Sequence, residues 1–75
     1  MYIGKLLIRE VRKTSFELAN KKHDGWEQRE LVDYLNGSIR VIESLASEAR
    51  ELQQLSADQY RTITEAVQSL KDSHK

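Results

Sequence analysis

The chain predicts an all-α fold: a helical hairpin or three-helix unit built on one long central helix. Three observations carry this expectation. Apolar residues recur at helical spacing over most of the length. Proline is absent and strong helix formers abound. Cysteine is absent too, so neither a disulfide framework nor a thiolate metal site supports the fold.

The central helix is expected over about 25–55. Stepping about 100° per residue from Ile42 places Leu31, Leu35, Ile39, Ala46 and Ala49 on one side. Tyr34, Val41, Leu45 and Leu52 flank that side, and Val32 lies on its other edge. Arg29, Asp33, Arg40, Glu43, Ser47, Glu51 and Gln54 lie opposite. The apolar sector is wider than a two-stranded coiled-coil seam, so the helix should touch more than one neighbour. Asp24 and Glu27 form a candidate capping box at its start. Asn36-Gly37-Ser38 is the weak point. The expectation there is a tolerated glycine on the solvent side of one helix, and the alternative is a break.

A first helix is read over about 5–22, from Ile3, Leu7, Val11, Thr14 and Leu18. Two features resist it. Tyr2 to Val11 also suits a short strand, and Thr14-Ser15-Phe16-Glu17 also suits the start of a fresh helix. In a continuous helix Phe16 points outward among Arg9, Arg12 and Lys13. Asp24-Gly25 signals the turn that follows.

A third helix is read over about 57–71. Ser56-Ala57-Asp58-Gln59 is a capping box, with Leu55 and Tyr60 as the hydrophobic pair around it. Tyr60, Ile63, Val67 and Leu70 then share one stripe. The expected arrangement lays the two shorter helices end to end along the long one. That would leave much of the wide apolar sector uncovered, to be completed by oligomerisation into a bundle, a dimer first.

The 75 residues make one domain, 1–75. No apolar run approaches the length of a membrane span, and Met1 to Ile8 does not read as a signal peptide, so the cytoplasm is the expected compartment. The net charge is zero but uneven. The basic N-terminal arm, 1–23, holds six Lys and Arg against two Glu, +4, and the remainder is −4.

No enzyme chemistry is legible. His23 beside Asp24 reads as a solvated turn, and His74 falls in a polar tail. A zinc site needs three or four convergent ligands, and a di-metal bundle needs Glu-x-x-His; neither pattern occurs. The serines and threonines have no histidine placed to activate them. No cofactor or metal is therefore expected. Glu27, Glu30, Asp33, Glu43, Glu48 and Glu51 read as a solvated face.

The function expected is a non-enzymatic protein–protein interaction module, an adaptor or regulator of another protein. Its candidate contact residues are Phe16, Trp26, Tyr34 and Val41, with Arg9, Arg12 and Lys13 as electrostatic guides. Aromatic residues and arginine dominate interface energetics.

The main rival is a helix-turn-helix DNA-binding regulator over about 31–46, with Asn36-Gly37 as its turn. Nucleic acid is the less favoured partner, because Arg40 is the one cation the recognition helix would offer, beside Glu43. A third reading makes Met1 to Lys13 a basic amphipathic helix on an anionic membrane surface.

Overall fold

The computed structural model describes residues 2–73, which form three helices and no strand. α1 spans Tyr2–His23, α2 Gln28–Glu51 and α3 Ala57–Ser73. The all-α class and the three-helix unit are thus what the chain forms. Met1 and His74 lie outside the described residues.

α1 starts at Tyr2, earlier than the expected Lys5, and is continuous. Tyr2 to Val11 is helix and not strand. Thr14 does not open a new helix. Its hydroxyl donates to the carbonyl of Glu10 at 2.9 Å, so it can be buried without an unmet polar group. The first turn of α1 has no acidic residue, while its last turn holds Lys21, Lys22 and His23, which suit the negative end of the helix dipole.

The Asp24-Gly25 turn forms as expected, but it closes α1 and does not open α2. The Gly25 N–H donates to the Lys22 carbonyl at 3.2 Å, and the Trp26 N–H to that of Lys21 at 3.1 Å. Gly25 has φ +94°, the left-handed conformation this Schellman ending requires. With Asp24 used there, α2 begins at Gln28, and Glu27 takes the N-cap position with an extended backbone. The Glu27 N–H donates to the Glu30 carboxylate at 3.1 Å.

α2 runs unbroken through Asn36 and Gly37. The turn of a helix-turn-helix is therefore missing from 31–46, where Leu31, Leu35, Ile39 and Ile42 all serve the core from one helix. α2 also stops at Glu51, short of the expected Leu55. Gln53, at φ 59°, makes a second Schellman ending, with Gln53 N–H to Arg50 O at 3.1 Å and Gln54 N–H to Ala49 O at 2.8 Å. The Ser56 box closes as expected. The Ser56 N–H donates to Gln59 Oε1 at 3.0 Å, and the Gln59 N–H to Ser56 Oγ at 3.1 Å.

The packing corrects the end-to-end arrangement. All three helix pairs touch. Tyr34 of α2 reaches Glu17 of α1, and a Cβ on Gly4 would lie 3.4 Å from Leu55 in the α2–α3 turn and from Gln59 in the first turn of α3. α1 therefore runs antiparallel along α2 and reaches past its end. Lys71 near the end of α3 lies 3.9 Å from Glu43, so α3 returns beside the second half of α2 and against α1. These two neighbours cover the centre of the wide sector of α2, while Val41, Leu45 and Leu52 on one flank stay exposed. Leu7, Val11 and Leu18 meet Leu35, Ile42, Ala49, Ile63 and Val67 in one continuous core. That also occupies the apolar residues a membrane-bound 1–13 segment would need, since Leu7 and Val11 are buried. The bundle is elongated, 41 × 16 × 16 Å.

Candidate functional site

Because Leu7, Val11, Thr14 and Leu18 are drawn into the core, the opposite face of α1 is forced outward. Lys5, Arg9, Arg12 and Phe16 lie on that face, spaced four, three and four residues apart, so they follow one line along the helix. Phe16 is 68% exposed. Lys5, Arg9 and Arg12 border a groove of about 550 Å³ between α1 and α3. Half-buried Ile8 supplies its apolar surface, buried Ile63 lies beneath it, and Asp58, Gln59 and Thr62 form its α3 wall. Lys5, Arg9 and Arg12 have no carboxylate within ion-pair distance among the described residues.

A second groove, of about 170 Å³, lies between α1 and α2. Lys13, Glu10 and Glu17 line it from α1, and Tyr34, Val41 and Leu45 from α2. Val41, Leu45 and Leu52 are exposed on this flank of α2, the flank opposite its Lys71–Glu43 contact with α3. Their spacing of four and seven residues keeps them in one row.

Trp26, which is exposed, and Tyr34, which is half-buried, pack against each other. Their rings meet edge to face, with centroids 6.4 Å apart and an interplanar angle of 81°. Lys21 Nζ lies 4.6 Å from the Trp26 ring centroid and 4.9 Å from that of Tyr34. The Schellman ending sets this up, since it places Trp26 directly against Lys21. The Tyr34 hydroxyl donates to the Glu17 carboxylate. That bond, then burial, then the negative charge of Glu17 raise the Tyr34 pKa above its ordinary 10.0.

The seven residues singled out by sequence thus do not form one site. Arg9, Arg12 and Phe16 share the outer face of α1. Lys13 and Val41 line the smaller groove with Tyr34. Trp26 joins Tyr34 at the α1–α2 turn. Lys5 belongs with the first group and was legible from its spacing to Arg9. The α3 wall was not legible, because nothing in the sequence says that α3 packs against α1. No group of three or more His, Asp or Glu among the described residues could hold a metal ion. No described helix is long and apolar enough to cross a membrane.

No family model, curated protein or solved structure matches the chain.

Proposed function

We propose that this protein is a small non-enzymatic module that binds another protein, as an adaptor or regulator, through the outer face of α1. One observation carries the reading: exposed Phe16 continues the line of Lys5, Arg9 and Arg12 beside an open groove. An exposed aromatic costs hydration in the free protein and is returned to an apolar setting by a partner. The cytoplasm is the compartment proposed, in keeping with a chain without cysteine. Affinity capture from the native host, with the bound proteins identified by mass spectrometry, tests the reading. The full chain should retain a defined protein that Phe16→Ala, equally well folded, does not. Identical captured sets from the two would sink it.

A second reading, self-association into a dimer, is favoured by the exposed row Val41, Leu45 and Leu52. That row is short, about 17 Å at 1.5 Å per residue. It falls well below what a tight dimer buries, about 800 Å² per partner. The dimer expected is therefore weak, with a folded monomer at low micromolar concentration. Sedimentation velocity should show association rising with concentration and lost in Leu45→Glu. A monomer throughout the micromolar range rules the dimer out.

A further inference from the structure

We infer that the groove between α1 and α3 seats an acidic amphipathic segment of the partner protein, an apolar side chain on Ile8 and carboxylates at Arg9 and Arg12. The inference rests on the outer face of α1 being the binding face, and it names the chemistry of what binds there.

Size comes first. At about 550 Å³ the groove is of the order that receives several side chains. Charge comes second. Three cations face one carboxylate, Asp58, in a protein whose net charge is zero. The cations have no carboxylate within ion-pair distance among the described residues. The guanidinium fork of each arginine matches a carboxylate with two parallel hydrogen bonds. Spacing comes third. Arg9 and Arg12 are one helical turn apart, and Phe16 is one turn further. A helical segment laid along the groove presents its own carboxylates and apolar residues at the same interval.

The same features disfavour phosphate surfaces. Three cations release few counterions from a nucleic acid, and Asp58 on the opposite wall repels a phosphate backbone. Ile8 is partly buried between two helices and Ile63 is fully buried, so a bilayer laid on this face would meet Phe16 as its one large exposed apolar side chain.

The test is a selection of random displayed peptides, about four helical turns long, on the full immobilised chain. Arg9→Glu/Arg12→Glu serves as counter-target, its fold checked by circular dichroism. The selected peptides should carry net negative charge with apolar residues at helical spacing. Their affinity should fall by roughly tenfold or more on the double variant. Selected peptides that are not acidic, or that bind the double variant as well as the parent, overturn the inference, as does the selection of none. If they instead lose affinity for Leu45→Ser/Leu52→Ser, the groove is wrong while the interaction-module reading stands. Phosphatidylserine vesicles and a random DNA duplex are measured alongside at physiological salt. Tighter binding to either than to the selected peptides overturns the peptide as occupant.

Discussion

Gly25 and Gln53 hold the same position at the ends of α1 and α2, each the left-handed residue of a Schellman ending, and only one of them is glycine. An L-residue in that conformation costs roughly 1–2 kcal/mol, which glycine avoids. The Gln53 side chain is exposed and makes no hydrogen bond among the described residues that would offset the cost. Glycine adds some unfolded-state entropy, so the net effect of Gln53→Gly is a gain of about 0.5–1 kcal/mol. Gly25→Ala, with space around its Cβ but φ +94°, should lose about 1 kcal/mol. Urea denaturation of both variants checks the pair, and the same sign for the two would contradict it.

Leu52 and Leu55 are three residues apart and should behave as opposites. Leu55 lies outside any helix yet is 2% exposed, whereas Leu52 caps α2 and is 62% exposed. The Arg50 guanidinium, donating to the Leu55 carbonyl at 3.2 Å, helps hold the turn inward. Leu55→Ala should cost about 2–4 kcal/mol, in the range of a core cavity. Leu52→Ala should cost less than about 0.5 kcal/mol. Thermal unfolding at low protein concentration, where no dimer contributes, separates them.

The contrast shows where the sequence stops being readable. Periodicity places Leu52 on the apolar flank of α2 and extends that helix to Leu55, because both are apolar at helical spacing. The chain instead ends α2 at Glu51 through a glutamine in the left-handed region, and no propensity marks Gln53 as a stop. The Ser56 box was legible because its signal is local, a hydroxyl and an amide three residues apart. Asp24 carried the same local signal and failed, because Gly25 and Trp26 close α1 first. On the α1 side of the candidate groove, Arg9 and Arg12 were legible from the sequence, while Lys13 lines the other groove. The α3 half depends on which helices neighbour one another, and the composition of an amphipathic stripe does not encode that.

Gly37 is a place where the sequence accepts strain-free improvement. It is an interior residue of α2, and a Cβ there would meet nothing within 4 Å. Gly37→Ala should therefore stabilise by roughly 0.5–1 kcal/mol, through helix propensity and a less flexible unfolded chain. The denaturation midpoint should rise. A fall would mean that the chain turns at Asn36-Gly37 in solution and would revive the helix-turn-helix arrangement.

Tyr34 and Glu17 give the bundle an alkaline limit. The Tyr34 hydroxyl donates to the Glu17 carboxylate across the α1–α2 groove, and this bond is the main cause of its raised pKa. The phenol thus holds its proton more tightly in the folded chain than in the unfolded one. For a group raised in this way, the stabilisation is fully present below the unfolded value of 10.0 and is lost as pH climbs through the higher folded value. A phenolate there would lose its donor and repel Glu17. Tyr34→Phe should cost about 1 kcal/mol near neutral pH, the usual net worth of such a bond. The difference in unfolding free energy between parent and variant isolates Tyr34 from the other titrating groups. That difference should be flat from neutral pH to about pH 9 and shrink above about pH 10. A difference that stays constant through the alkaline range would show that the hydroxyl is not bonded to Glu17 in solution.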